Sequence, residues 1–379
     1  KPQHAEDKKS NASNFEIENI EIKDSSLSYL NQQSAQSFVV KGVNLTIKML
    51  EDSAVMIKGG ANFHQNQDLS GNVNVESKVL LSKSTVTVKD AKLVLNVDRK
   101  GKPKIALQSL VSGEYLKQTN ILHLSGVHVK LNNQDLGDLS NVKVVLDSKT
   151  FSGRYVVKNL NVQTLANVFE AKLPHVKNKD FWKHADFAFN FSGNDQHAKV
   201  SALNAKLGEM ALTGSLEIPK FKPLTLSPNL DINQFTVSNF VDLKGLIFRL
   251  NQMHVTGNLA MVPKGVDGAL TVTSKGALLK GIDLNKLAVN FQKFLASLAN
   301  VDHIGRNFQN IRKELISLNT LNPKGQVNPN NGRETKLYNL NVRNTFAGSD
   351  IRLDHFRWQG EHFYLKGDGD TNWKAKTLD

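Results

Sequence analysis

Oxygen-rich strings are the first place to look for chemistry in this chain. Asp368-Gly369-Asp370-Thr371-Asn372 sets donor oxygens at alternate positions, the spacing of the first three ligands of a twelve-residue calcium loop, and Asp379 falls at the twelfth. The sixth position of such a loop needs Gly for its sharp turn, and here it is Trp373. The string therefore reads as a glycine-bearing turn beside a terminal strand. Asp231, Asp242 and Asp267 are carboxylates that could act as acid and base on a glycoside if a concave face paired them, but nothing in their spacing marks them for it. The 11 histidines are dispersed, without a His-Glu-x-x-His pattern. His123 and His128 stand five apart in strand-like sequence, so they are expected on opposite faces. Gly276 and Gly281 have the spacing of a phosphate loop, yet Ile282 and Asp283 follow where Lys and Ser/Thr are required. No Gly-x-Ser-x-Gly elbow occurs. There is no cysteine, which removes disulfides, thiolate nucleophiles and zinc–cysteine sites together. No catalytic residue, metal ligand set or cofactor site is assigned, and the chain is expected to work without catalysis.

The elements that would position any site point to a mainly β protein. Clean alternation of apolar and polar residues recurs in Val43–Ile47, Val86–Val88, Leu93–Val97, Val127–Leu131 and Phe187–Phe191, and again in Leu340–Val342, Ile351–Leu353 and Phe363–Leu365. Turn signals separate them, among them Asp98-Arg99-Lys100-Gly101, Asn132-Asn133-Gln134-Asp135 and Ser192-Gly193-Asn194-Asp195. Helices are few. A short one is predicted over 162–170, with Leu165, Val168 and Phe169 on one face. The longest helical region is predicted near 283–319, starting at Asp283 as N-cap and carrying Leu284, Leu287, Ala288, Phe291, Phe294, Leu295 and Leu298 at helical spacing. Ile304, Phe308, Ile311, Leu315 and Leu318 continue that spacing, and a Pro- and Asn-rich loop follows over 322–332.

One-sided strands must bury their apolar face. With so few helices, three solutions remain: sheet on sheet, a closed barrel, or a trough whose lining meets a ligand. Only the trough demands a function, because a large exposed apolar patch is rarely kept without one.

Charge narrows the partners. The formal net charge is +13 over 379 residues, but most of it is Lys scattered along the strands, without dense runs beside stacking aromatics. Nucleic acid is not expected as a partner. A solvated face that keeps sheet edges apart, with some attraction to anionic membrane, is expected instead. No stretch reaches the ~18–20 uninterrupted apolar residues of a membrane span. The opening run, 1–14, is polar and is expected to be a tail or linker, with a signal peptide or an anchor preceding it.

Three stretches together resemble the AsmA family of Gram-negative envelope proteins. The first runs from Phe15 to Tyr29, a strand leading into Ser26-Leu27-Ser28-Tyr29, where the family pattern has Gly in place of Ser26. The second joins Phe189–Gly193 and Val200–Gly208 to Leu212-Thr213-Gly214-Ser215 and Pro223. The third is Gly268–Gly276 leading to Gly281-Ile282-Asp283-Leu284 and the helix. The stretch between about Phe240 and Gly268 is short against the family pattern. The resemblance implies an elongated, curved antiparallel sheet forming an apolar groove, with an N-terminal groove region over 15–240 and a C-terminal region over 241–379. It also implies a periplasmic protein held to the inner membrane by an N-terminal anchor, with phospholipid or another lipid as ligand, envelope proteins as further partners, and a part in outer-membrane biogenesis. On that expectation the alternating apolar sets Val86, Val88, Leu93, Leu95, Val127, Val129, Leu131, Phe187, Phe189 and Phe191 line the lipid. A periplasmic scaffold acting through protein contacts is the competing expectation.

Overall fold

The computed structural model describes residues 18–31, 36–51, 53–66, 68–178, 180–240, 243, 245–297, 309, 330, 332–372 and 377–378. The chain divides into two compact units, Lys1–Thr119 and Asn120–Asp379. Residue 240, where the sequence suggests a boundary, lies inside the second. The protein is mainly β, and within each unit the strands pair antiparallel.

The first unit is a meander of six strands, β1 (Asn19–Asn31), β2 (Gln36–Met49), β3 (Ala54–Gln65), β4 (Leu69–Leu81), β5 (Thr85–Arg99) and β6 (Ile105–Leu116). Each pairs antiparallel with the next. No helix occurs among its described residues.

The second unit continues the same principle with β7 (Ile121–Leu131), β8 (Gln134–Val145) and β9 (Thr150–Leu160). After α1 (Val162–Phe169) come β10 (Ala185–Gly193), β11 (Ala198–Leu207), β12 (Met210–Ile218) and β13 (Thr225–Asn233). Then follow the short β14 (Phe235–Thr236), β15 (Ile247–Val262), β16 (Gly265–Lys280), α2 (Leu284–Ser297), β17 (Glu334–Gly348), β18 (Asp350–Gln359), β19 (Tyr364–Asn372) and β20 (Thr377–Leu378). Sequence neighbours pair throughout, except that β13 passes over β14 to pair with β15. Asn132 and Asn133, both at positive φ (49° and 64°), make the two-residue β7–β8 turn. Asn tolerates that conformation, and such turns match the twist of the flanking strands.

Bulges decide which residues share a face. In β5 the partners of β6 step from Val88–Gly113 to Ala91–Val111, with Asp90 at φ 49°. The extra residue reverses the phase, so Val86 and Val88, at even positions, join Ala91, Leu93 and Leu95, at odd ones, on one side. A similar step in β8 beside Asn141 (φ 52°) corrects the expectation for the histidines. His123 pairs with Lys143 and through it with Ser152; His128 pairs with Asp138 and through it with Val156. Ser152 and Val156 are four apart in a regular stretch of β9, so the two histidines share the polar face.

One helix expectation also changes. α1 is capped as its sequence suggests: Asn161 Oδ1 accepts from the Thr164 N–H at 3.0 Å. Val168 is buried, but Phe169 is 63% exposed, because the last helical residue takes no part in the cluster beneath. α2 is capped by Asp283, whose Oδ1 accepts from the Lys286 N–H at 2.8 Å. Ile304, Phe308, Ile311, Leu315 and Leu318 lie outside the described residues, as do Phe294's side chain and Leu298. The turn expected at Asp368–Asn372 is instead part of β19. Gly367 and Gly369 stand opposite Phe356 and Leu353, and Asp370 stands opposite Arg352 on the other face. Alternation thus gives the glycines to the apolar side and the carboxylates to water.

Candidate functional site

Following partners across the registers of the second unit yields rows of one character. Val157, Phe187, Ala205, Leu212, Ile232, Met253, Ser274 and Leu340 are successive cross-strand partners from β9 to β17. A neighbouring row runs Leu203, Gly214, Leu230, Val255, Val272, Val342 and Phe356. Eight strands at ~4.8 Å apart make the first row roughly 34 Å long. The opposite face has its own row of Asn204, Thr213, Asp231, His254, Thr273, Asn341, Arg357 and Lys366. One side of this sheet is apolar across the strands, and the other side is wet.

The cover on the apolar side is uneven. The connections that carry α1, the 3₁₀ turn Val237–Asn239 and α2 all lie at one strand-end edge, which also holds short turns such as Asn132-Asn133. Two buried clusters lie on this side. Val157, Leu160, Val176, Phe181, Ala185, Ala205 and Leu207 form one. Leu250, Met253, Val255, Ala277, Leu337, Leu340 and Trp358 form the other. At the opposite edge the connections run from short turns to the loop 219–224 between β12 and β13, and no helix lies there among the described residues. Apolar residues near that edge, such as Phe191, Val200, Leu216, Ile218, Leu226 and Leu259, are only half-buried.

The first unit has the same two faces. Ile22, Leu45, Gly59, Val75 and Leu93 are successive partners, and Ala61, Val73, Leu95 and Leu107 form the next row. Thr46, Lys58, Glu76 and Lys92 run across the other side. There Asn62, Asn72 and Asn96 also align, with Asn96 Nδ2 donating to Asn72 Oδ1 at 2.9 Å. Most apolar-row residues of this unit remain half-buried.

The ten residues expected to line a ligand therefore fall into two sets. Val86, Val88, Leu93 and Leu95 share the apolar face of the first unit. In the second, Val127 is joined through Leu139 and Tyr155 to Phe189, and Phe187, Phe189 and Phe191 face the same way against Val157, Tyr155 and Gly153. The Tyr155 and Phe189 rings are 5.2 Å apart. Leu131 is 3% exposed and already buried by the protein. Val129 is half-buried beside a register shift. Burial, and then the charge of Asp135, push the Tyr155 phenol up, so it stays protonated and donates to the Leu136 carbonyl.

On the apolar face of each unit an aromatic ring lies over a glycine, which periodicity does not reveal. A Cβ on Gly153 would meet the Phe191 ring at 2.5 Å, and one on Gly71 would meet Phe63 at 2.5 Å. Each pair is a direct cross-strand partnership, so the ring lies flat across its neighbour instead of standing off the sheet.

Among the described residues, polar groups do not converge into a reactive constellation. Asp231 Oδ1 is 2.9 Å from His254 Nδ1 on the exposed face, Asp267 accepts from the Gly348 N–H, and Asp242 lies outside the described residues. Among the described residues no group of three or more His, Cys, Asp or Glu is placed to hold a metal. A solvent-open cavity of about 730 Å³ includes Lys143, Ser152, Ser192, Lys199 and Glu217 of the polar face in its lining. There a 2.7 Å bond from Lys199 and its positive charge hold the Glu217 carboxyl below its usual range. No helix among the described residues is long and apolar enough to cross a membrane. No protein-family model, curated protein or solved structure matches the chain.

Proposed function

We propose that this chain is a non-catalytic lipid-binding protein that holds acyl chains against its apolar sheet face while the headgroup stays in water. The observation that carries the reading is the set of half-buried apolar residues at one strand-end edge, Phe191, Val200, Leu216, Leu226 and Leu259 among them, backed by a polar face and without helical cover among the described residues. Each methylene kept from water is worth ~0.8 kcal/mol, so a two-chain lipid needs a continuous lining and no reactive group. Half-buried apolar rows supply that lining; the fully buried clusters near the helices stiffen it. In this reading the protein is an AsmA-like component of a Gram-negative envelope. It takes phospholipid through the periplasm between inner and outer membrane and so supports outer-membrane biogenesis.

Native mass spectrometry of gently extracted protein tests this. Copurified phospholipid is expected, and protein that is repeatedly lipid-free refutes the reading. The competing scaffold reading draws on β1, which pairs only with β2 among the described residues and exposes Leu27 (67%), Tyr29 (61%) and Leu30 (63%). Such an edge can accept a strand from another protein. A stoichiometric protein partner lost on Leu27→Lys, with no lipid bound, would favour it.

A further inference from the structure

The β12–β13 connection has a composition that neither the sheet nor its core requires. Pro219-Lys220-Phe221-Lys222-Pro223-Leu224 is exposed throughout, with Phe221 at 39% and Leu224 at 37%. It is nonetheless a built loop: Phe221 and Leu224 form an isolated bridge, and the Thr225 N–H donates to the Lys220 carbonyl at 2.9 Å. The adjoining strand end brings a third exposed apolar side chain. The Met261 N–H donates to the Leu224 carbonyl at 2.7 Å, and Met261 is 41% exposed. Lys264 follows in the next turn. Lys220 and Lys222 have no ion-pair partner among the described residues, and the loop contains no carboxylate.

We infer that this hairpin tip docks the protein on the surface of an anionic lipid bilayer. Phe221, Leu224 and Met261 would enter the headgroup layer, and Lys220, Lys222 and Lys264 would meet lipid phosphates. One argument selects a bilayer over an acidic protein. Apolar and cationic residues alternate within one six-residue loop, so rings and ammonium groups reach different depths of an interface, as interfacial anchors do. The chain also carries a formal net charge of +13, complementary to a negative leaflet. The tip lies at the edge where no helix among the described residues covers the apolar face, and Ile218 and Leu226 begin that face directly behind it. Docking there would give acyl chains a short path from the bilayer onto the sheet. That last consequence rests on the lipid-binding reading; the docking itself does not.

Flotation of the whole chain with vesicles tests the proposal. Binding is expected to mixed phosphatidylglycerol–phosphatidylcholine vesicles, with little to phosphatidylcholine alone, and is expected to weaken with salt. Each lysine removed should cost about five-fold, so K220A/K222A should bind roughly 25-fold more weakly. F221S/L224S should lose the part of binding that survives high salt. The control K58A/K92A, on the polar face of the first unit, should bind within about five-fold of wild type. Equal binding to both vesicle types, wild-type binding by K220A/K222A, or an equal loss in the control would each overturn the inference. The two readings fail separately. K220A/K222A should keep binding a dispersed fluorescent fatty acid, whereas Leu216→Asp should lose the fatty acid and still float.

Discussion

Leu216→Asp is the perturbation that most sharply separates an apolar lining from an ordinary half-buried strand. Leu216 lies in β12 between Val200 and Pro228 on the apolar face. It is half-buried and outside both buried clusters. A carboxylate there must keep its water, which denies apolar contact to acyl methylenes within about one strand spacing, ~4.8 Å. Losing roughly four methylenes of shelter at ~0.8 kcal/mol each removes about 3 kcal/mol, or over a hundred-fold in affinity. Half of a Leu burial, about 1 kcal/mol, is the expected cost to folding, so the sheet should remain formed. Ser215→Asp is the matched control, one residue away and facing the polar side opposite Asn229. Titration of a fluorescent fatty acid should show a large loss for Leu216→Asp and near-wild-type binding for Ser215→Asp. Equal behaviour of the two variants, with both folded by circular dichroism, would refute the assignment of faces to function.

Further expectations concern the frame. Gly153→Ala drives a Cβ to 2.5 Å from the Phe191 ring and 3.0 Å from Val142; it should cost about 1–3 kcal/mol in urea unfolding, and Phe191→Ala in the same chain should return part of that loss. Thr335 is 0% exposed, accepts from the Leu284 N–H and donates to the Ile282 carbonyl, each at 2.8 Å. Thr335→Val strands both groups and should cost about 1–3 kcal/mol by the same measurement. Asp283→Ala removes the α2 cap and should cost about 1 kcal/mol, read as lost helical signal. The Tyr155 phenol is held neutral in the fold by burial and by Asp135. Its contribution is therefore complete below the unfolded tyrosine pKa and is lost as pH rises through the raised folded value. Tyr155→Phe should flatten the alkaline limb of the stability profile.

What could be read from the sequence was whatever a short window determines. Alternation marked the strands of Leu93–Val97 and Phe187–Phe191, the Asn132-Asn133 pair marked a turn, and Asp283 marked the start of α2. Phase across a bulge was not legible, because Lys89-Asp90 looks like any polar pair until Val111 and Gly113 fix its register. The same limit put His123 and His128 on the wrong sides. Asp368–Asn372 looked like a turn because its glycines are explained only by Phe356 and Leu353 on the next strand. Nor could a single strand reveal that the helix-bearing connections gather at one edge, since that depends on strand count and direction. The two-faced sheet was thus foreseeable in kind. The position of the half without a helix among the described residues was not.

Site-specific photo-crosslinking in living cells bears most directly on the central idea. A photoreactive side chain placed at Leu216, and separately at Ser215, would sample the two faces from adjacent positions of one strand. Lipid-mass adducts at 216 and none at 215 are the predicted result. Adducts at neither site, or equally at both, would contradict an acyl chain resting on the apolar side.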